Sequence, residues 1–140
     1  MEKRVTGIGG IFLKVENPES TKNWYRKHLG IESGKYGATF EWRHVQNPDK
    51  KGYTAWSFFD QDTEYTRPSK KDVMINYRVE NLTELLAVLK DEGVEIIGEI
   101  EEFYYGKFGW IMDPNGVKIE LWEPNDEEYD KIKGETNLSS

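Results

Sequence analysis

The stretch VMINYRVENLTELLAVL, residues 73–89, decides the fold because a strand pattern runs directly into a helix pattern within it. In the strand part, apolar side chains alternate with a more mixed set, as expected for a strand buried on one face. Asn81, with Glu84 three residues later, resembles a capping box in which Asn replaces the usual Ser or Thr. The helix part carries one apolar stripe at helical spacing, formed by Leu82, Leu85, Leu86 and Leu89. The stretch therefore predicts a strand followed at once by an amphipathic helix.

The triplet at this junction occurs twice in the chain. Val79-Glu80-Asn81 repeats Val15-Glu16-Asn17, and positions 79 and 15 differ by 64. In the earlier copy Asn17 is the expected N-cap, Pro18 the first helical residue and Gly30 the end of the helix. Further along, Gly52 and Gly116 lie at the same offset, and each follows a predicted turn before a strand, Asn47-Pro48-Asp49 or Asp113-Pro114-Asn115.

Each half is therefore predicted to contain a strand, a helix and three further strands. These two tandem βαβββ modules, about residues 7–60 and 72–123, are joined by the polar linker 62–71. The predicted class is α+β with a mixed or antiparallel sheet, in one domain spanning residues 1–124. We expect residues 125–140 to form a polar C-terminal tail that is frayed or loosely docked.

Composition excludes several classes of function. The 140 residues carry a net charge of −7, which disfavours binding to nucleic acid, and they include no cysteine for disulfides or thiolate chemistry. No run approaches the roughly 18 apolar residues that a membrane span needs, so no membrane partner is expected. The start, Met1 to Arg4, lacks the pattern of a signal peptide, and the predicted compartment is the cytoplasm.

Strand alternation predicts which side chains face a concave surface. The wholly apolar set is expected to pack on the helices, which leaves a mixed polar and aromatic set on the other face of the sheet. A few polar groups among aromatic rings are typical of a small-molecule pocket, although the same positions would also suit a barrel core or a dimer interface. The predicted set comprises Phe12, Lys14, Thr54, Trp56, Phe58, Met74, Asn76, Arg78, Lys118, Glu120 and Trp122.

Three segments resemble a known family. Gly7–Val15 and Asn23–Gly30 are similar to the strand and helix that open vicinal oxygen chelate domains of the glyoxalase/bleomycin resistance protein/dioxygenase superfamily. Asp113–Leu121 resembles the closing DP-x-G-x-x-x-E-L signature of that family. The resemblance covers residues 5–124 and implies two βαβββ modules curled around a cavity. It also implies assembly as a homodimer.

The resemblance implies a metal site that this sequence has lost. By position, the four ligands of the family's metal enzymes would fall at Gly10, Trp56, Met74 and Glu120. Only Glu120 is a good ligand for a hard divalent ion, and about three protein ligands are needed. His28 is expected at the surface and His44 at a solvated strand end. We therefore expect no metal and no other cofactor.

Three functions remain open from the sequence. The leading hypothesis is a metal-free pocket for a small organic molecule, lined by Phe12, Trp56, Phe58, Met74, Asn76, Arg78, Tyr105, Glu120 and Trp122. The alternative is a lyase, isomerase or dioxygenase-like enzyme with a rearranged site, in which Glu120 is a catalytic general base. A further alternative is a ligand-free structural dimer. Glu120 can also be read as half of a buried pair with a cation such as Arg78.

Overall fold

A computed structural model describes residues 4–132 as one mixed sheet of seven strands with three helices. The elements in chain order are β1 (Val5–Val15), α1 (Pro18–Leu29), β2 (Ala38–His44), β3 (Asn47–Asp60), β4 (Val73–Val79), α2 (Leu82–Asp91), β5 (Ile96–Phe103), β6 (Gly106–Met112), β7 (Lys118–Pro124) and α3 (Asp126–Ile132). The strand order across the sheet is β2-β3-β1-β4-β7-β6-β5. The predicted α+β class is confirmed.

The opening strands of the two halves lie side by side at the centre of the sheet. β1 and β4 pair antiparallel, with Ile11 opposite Ile75, and each is flanked by the parallel closing strand of its own half, β3 or β7. Short loops cannot join parallel neighbours, so a helix crosses over between each such pair. The repeat in the sequence is therefore a repeat in the sheet.

The first half departs from the predicted strand count. After α1 it has two strands, β2 and β3, where three were expected, and no strand lies between the end of α1 and β2. Gly34 and Gly37 instead close a tight turn by exchanging backbone hydrogen bonds of 2.9 and 3.2 Å. Glycine at both ends, with Gly37 at a φ of 103°, makes this turn accessible where a third strand was expected.

The predicted turn at Asn47-Pro48-Asp49 is also misplaced. These residues begin β3, and the hairpin turn lies one step earlier, at Val45-Gln46. β1 pairs with β3 only from Ala55 onward. At Pro48, β3 therefore has one neighbouring strand, β2, and its other edge is unpaired. An edge position of this kind tolerates the missing N–H of proline.

The two helices cover the sheet unequally. Leu82, Leu85 and Leu86 of α2 are buried against Val79 and Leu121 of the sheet, which confirms the predicted apolar stripe. None of the residues Pro18–Leu29 of α1 is fully buried. The main hydrophobic core therefore belongs to the second half.

The closing strands of the two halves are out of step by one residue. Ile11 pairs with Trp56 and Ile75 with Ile119, so the offset is 64 between the opening strands but 63 between the closing strands. A slip of one residue moves every side chain of a strand to the other face. The counterpart of Glu120 is therefore Ser57. Ser57 lies opposite Phe12 in one ladder, and Glu120 lies opposite Asn76 in the equivalent ladder.

The slip corrects the predicted position of two site residues. Trp56 and Phe58 face α1 instead of the concave surface, and the ring of Tyr25 packs on them at centroid distances of 5.0 and 5.3 Å. They pack on the helix in which no residue is fully buried. Neither residue belongs to the polar face described below.

The segment after β7 is docked more firmly than expected. Tyr129 of α3 is 9% exposed, and its ring lies 5.2 Å from those of both Tyr53 and Trp122. Its hydroxyl is 3.0 Å from the Thr39 hydroxyl. The helix thus covers one end of the concave face, while the rest of the predicted tail, residues 133–140, lies outside the described residues.

In the range 4–132, no helix has the length and apolar character needed to cross a bilayer. The longest of the three, α1, has 12 residues and a mixed charged surface.

Both predicted N-caps are present and give a test of local stability. The side chain of Asn81 accepts a hydrogen bond of 3.1 Å from the Glu84 N–H, as Asn17 does from Ser20. We expect Asn81→Ala to lower the free energy of unfolding by about 1 kcal/mol, since one amide of the first turn loses its acceptor. Urea denaturation measures this. Asn23→Ala, at an exposed position inside α1, is the matched control and should leave stability unchanged or slightly higher.

Candidate functional site

Glu120 lies at the centre of the polar cluster on the concave face. β7 places it opposite Asn76 of β4 on one side and Trp110 of β6 on the other, and it is 3% exposed. Its Oε1 accepts a hydrogen bond of 2.7 Å from Asn76 Nδ2. Its Oε2 accepts one of 3.0 Å from Trp110 Nε1 and a second from the Tyr65 hydroxyl. Three donors therefore surround one buried carboxylate.

Tyr65 is the donor that sequence reasoning missed. It lies in the linker between β3 and β4, and 43% of its surface is exposed although its hydroxyl reaches the buried carboxylate. Its ring packs 5.5 Å from Phe59 and 6.1 Å from Trp110, between centroids. The one available signal was a single aromatic residue within an otherwise polar linker.

Lys118 is the second charged group of the cluster. It lies two residues before Glu120 on the same face of β7 and is 8% exposed. Its Nζ donates a hydrogen bond of 2.6 Å to the backbone carbonyl of Tyr65 and lies 5.4 and 5.6 Å from the ring centroids of Tyr65 and Trp110. Burial lowers the pKa of Lys118, and the nearby Glu120 carboxylate opposes that shift.

Burial also keeps the Tyr65 hydroxyl protonated. It raises the pKa of Tyr65 well above its ordinary value, and the neighbouring negative charge of Glu120 adds to the effect. Burial raises the pKa of Tyr53 as well, helped by its hydrogen bond of 2.5 Å to Asp130. Both hydroxyls therefore act as donors throughout the physiological range.

These shifts predict a loss of stability at high pH. Because the folded-state pKa values of the two tyrosines exceed the unfolded value of about 10, their contribution is complete below pH ~10 and is lost above it. Lys118 acts in the opposite sense, since its folded-state pKa is lowered and its contribution is lost as the pH falls. We expect the free energy of unfolding to fall above pH ~10, and less steeply in Tyr65→Phe. Urea titrations across this range measure the slope, and equal slopes for both proteins would contradict the assignment.

Arg78 forms a separate cluster with α3. It is 1% exposed, and its guanidinium carbon lies 5.2 Å from the ring centroids of both Trp42 and Trp122. Its Nη2 donates to Asp126, and its Nη1 donates to the Tyr53 carbonyl at 3.5 Å. The ion pair considered from the sequence, Arg78 with Glu120, is therefore corrected: the partner of Arg78 is Asp126.

The remaining predicted residues are divided between these two clusters. Met74 is fully buried, and Phe12 stacks on Phe59 at 5.4 Å beside Tyr65. Tyr105 belongs to the cluster under α3, where its carbonyl accepts a hydrogen bond of 3.2 Å from Trp122 Nε1. The concave face is thus covered by the protein's own side chains, Tyr65 at one end and Tyr129 at the other.

The two histidines lie away from Glu120. His28 packs against the exposed Trp24 on α1, at a centroid distance of 4.9 Å. His44 ends β2 beside Trp42, at 4.9 Å. Burial, followed by the positive charges of Lys50 and Arg78, lowers the pKa of His44. Neither histidine contributes to the carboxylate cluster.

Comparison with known proteins agrees with this architecture. The family model described as "Glyoxalase/Bleomycin resistance protein/Dioxygenase superfamily" matches residues 7–121. The chain belongs to this superfamily. No curated protein matches the sequence.

Solved structures of the glyoxalase superfamily share the fold at low sequence identity. Methylmalonyl-CoA epimerase from Mycobacterium tuberculosis is 18% identical, with a TM-score of 0.63 and coverage of 93% of this chain and 95% of that one. A variant of the Streptomyces coelicolor enzyme in complex with 2-nitronate-propionyl-CoA is 16% identical, with a TM-score of 0.63 and coverage of 86% and 99%. A superfamily member from Vibrio splendidus 12B01 is 13% identical, with a TM-score of 0.53 and coverage of 83% and 97%. These likenesses establish the fold alone.

The residues at the superfamily's metal positions do not fit a metal ion. In the described part of the chain, no three His, Cys, Asp or Glu side chains lie close enough together to hold one. Gly10 and Met74 offer no hard ligand, and the register slip replaces Trp56 by Ser57 as the counterpart of Glu120. Around Glu120 itself, the neighbours are uncharged N–H and O–H groups that donate hydrogen bonds to the carboxylate.

Proposed function

We propose that this superfamily member binds a small organic molecule at Glu120, in a metal-free site, by displacing the side chain of Tyr65. One observation carries the proposal: of the three donors on the buried carboxylate, two belong to the sheet and the third comes from an exposed linker residue. Asn76 and Trp110 are held in register by the strand ladders on both sides of β7. Tyr65 has no such constraint and is the donor that a ligand can replace.

The groups that Tyr65 contacts define the class of ligand. Glu120 accepts from its hydroxyl, Lys118 donates to its carbonyl, and aromatic rings lie on two sides of its ring. A molecule that takes its place needs an O–H or N–H donor at one end, a carbonyl-type acceptor and a planar apolar body. Phenols with an amide or acyl group have these features.

The lyase or isomerase alternative fits the geometry less well. A general base needs a free lone pair within reach of the substrate proton. Each oxygen of Glu120 keeps a free lone pair once Tyr65 leaves, but the two groups that still donate to these oxygens, Asn76 and Trp110, cannot take part in proton transfer. This favours binding over proton abstraction. Homodimerisation and a cytoplasmic location remain proposals drawn from the sequence.

The test removes the side chain of Tyr65 and adds a small molecule that can take its place at Glu120. We expect Tyr65→Ala to bind 4-hydroxybenzamide at least about tenfold more tightly than the wild type, because the competing side chain is gone. Isothermal titration calorimetry measures the dissociation constant. The ether 4-methoxybenzamide, which lacks the donor, should bind much more weakly. Tyr36→Ala is the matched control, since Tyr36 is 59% exposed.

Two results would refute the proposal. One is equal binding of the phenol and its ether to Tyr65→Ala, and the other is no binding of the phenol to that variant. Circular dichroism of Tyr65→Ala establishes beforehand that the variant is folded. The wild type, titrated with the same probe at higher concentration, gives an independent measurement in the unmodified chain.

A further inference from the structure

Lys118 brings a primary amine to the edge of the Glu120 site. The residue is 8% exposed, and its Nζ donates a hydrogen bond of 2.6 Å to the backbone carbonyl of Tyr65. The ring centroids of Tyr65 and Trp110 lie 5.4 and 5.6 Å from Nζ. The amine is therefore enclosed by aromatic rings, and one of the two belongs to the exposed linker.

The amine and the Glu120 carboxylate lie at opposite ends of the same residue. Glu120 accepts a hydrogen bond from the hydroxyl at the tip of Tyr65, whereas Lys118 donates to the backbone carbonyl of Tyr65. Nζ also lies against the face of the tyrosine ring. The space that the ring fills is therefore bordered by the carboxylate at one end and by the amine toward the other. A molecule that replaces the ring reaches both groups without any movement of the sheet.

The surroundings of Lys118 favour a nucleophilic amine. Burial disfavours the ammonium form and lowers the pKa of Lys118, although the neighbouring negative charge of Glu120 opposes the shift. More of this amine is therefore neutral, at a given pH, than that of a lysine in the same setting without burial. A desolvated neutral lysine is a nucleophile for carbonyl carbon, with which it forms a Schiff base.

We propose that Lys118 forms an imine with an aryl aldehyde that takes the place of the Tyr65 side chain. This covalent capture rests on the proposed function, because the tyrosine ring must leave first. In 4-hydroxybenzaldehyde the hydroxyl and the aldehyde carbon lie at opposite ends of the ring, as the hydroxyl and Cβ of tyrosine do. With its hydroxyl on Glu120, the aldehyde carbon occupies the position of Cβ, at the end of the ring that leads to the carbonyl bound by Lys118.

The step conserves atoms and charge. Neutral Nζ attacks the aldehyde carbon and a C–N bond forms, while the electron pair of the C=O π bond moves to oxygen, which takes up a proton. The carbinolamine then loses this oxygen as water, and a protonated imine remains. Overall, one lysine ammonium ion and one aldehyde give one iminium ion and one water molecule.

The site also stabilises the product. The iminium ion carries the same positive charge as the ammonium ion that it replaces, so the favourable interaction with Glu120 is kept. The rings of Phe59 and Trp110, which pack on Tyr65 at 5.5 and 6.1 Å between centroids, lie beside the incoming ring. They limit the access of water to the C=N bond and so slow its hydrolysis.

The experiment labels the full chain with 4-hydroxybenzaldehyde in the presence of cyanoborohydride, which reduces an imine to a stable amine. Tyr65→Gly removes the ring together with Cβ. In this variant we expect labelling at Lys118 at least about tenfold faster than at the exposed Lys90 of α2, because binding holds the aldehyde beside the amine. Peptide mapping by mass spectrometry gives both rates in one sample. The wild type should show the same preference at a lower rate, since Tyr65 competes for the space.

Two controls test the role of each group. The probe 4-methoxybenzaldehyde lacks the donor for Glu120 and should lose the preference for Lys118. Adding Lys118→Arg to Tyr65→Gly should abolish the adduct at position 118 and leave labelling of Lys90 unchanged. Circular dichroism establishes that each variant is folded, and the wild type gives the same comparison of two lysines in the unmodified chain.

Equal rates at Lys118 and Lys90 would overturn the proposal, as would equal labelling of Lys118 by the two aldehydes. The amide 4-hydroxybenzamide forms no imine, so its binding to Tyr65→Gly, measured by calorimetry, tests the proposed function separately. If the amide binds and the aldehyde shows no preference for Lys118, covalent capture is wrong while the binding site stands.

Discussion

Replacing Glu120 with leucine is expected to lower the free energy of unfolding by about 4 kcal/mol, because Asn76 and Trp110 keep buried donors that lose their acceptor. Lys118, which is also buried, loses its main favourable charge interaction, that with Glu120, in the same variant. Leucine has a similar size, so the loss measures the polar contacts and not a cavity. Urea denaturation followed by tryptophan fluorescence gives the difference.

The controls for Glu120 separate charge from hydrogen bonding. Glu120→Gln keeps one acceptor oxygen and should lose about half as much stability as the leucine variant. Glu99→Leu, at an exposed position of β5, should change the free energy of unfolding by less than about 0.5 kcal/mol. A Glu120→Leu protein as stable as the wild type would show that the three donors are not held on the carboxylate.

Arg78→Met is expected to destabilise the fold by about 3–5 kcal/mol. The substitution leaves Asp126 largely buried without its counter-charge and removes the cation between Trp42 and Trp122. Thermal and urea unfolding of the single variant measure the loss. We expect the double variant Arg78→Met with Asp126→Leu to recover much of it, since an apolar pair of similar shape carries no unpaired charge.

An exposed ion pair provides the contrast for Arg78. Arg67 and Glu64 lie 3.3 Å apart with side chains 67% and 82% exposed, and Arg67→Met should cost less than about 0.5 kcal/mol. Equal effects at positions 67 and 78 would contradict the burial of the Arg78 pair. If the losses of stability in Arg78→Met and Asp126→Leu simply add in the double variant, Arg78 and Asp126 do not interact.

The helix stripe, both N-caps and the βα repeat were predictable because each depends on residues close together in the chain. Leu82, Leu85 and Leu86 pack as their spacing predicts, and Asn17 and Asn81 cap the helices that follow them. The place of Glu120 on the concave face was also predictable, from the alternation of β7 and from the resemblance of Asp113–Leu121 to the closing motif of the family. In each of these cases the local pattern agrees with the tertiary structure.

Long-range features of the site escaped prediction for physical reasons. The face of Trp56 depends on the pairing of β3 with β1, and a repeat offset cannot reveal a slip of one residue. The contact of Tyr65 with Glu120 joins residues in a linker and a strand, and no local pattern encodes it. Asp126 appeared to be part of a solvated tail because its partner, Arg78, is 48 residues away.

The one-residue slip between β3 and β7 also identifies the residue of the first half that is equivalent to Glu120. Where the second half has Asn76 and Glu120, the first has Phe12 and Ser57, so the duplicated backbone carries a carboxylate at one of two equivalent places. Two copies of the same supersecondary unit therefore do not make two copies of the same binding site. If Glu120 binds a ligand as proposed, saturation should require one equivalent of ligand per chain, although the sheet around the site is built twice.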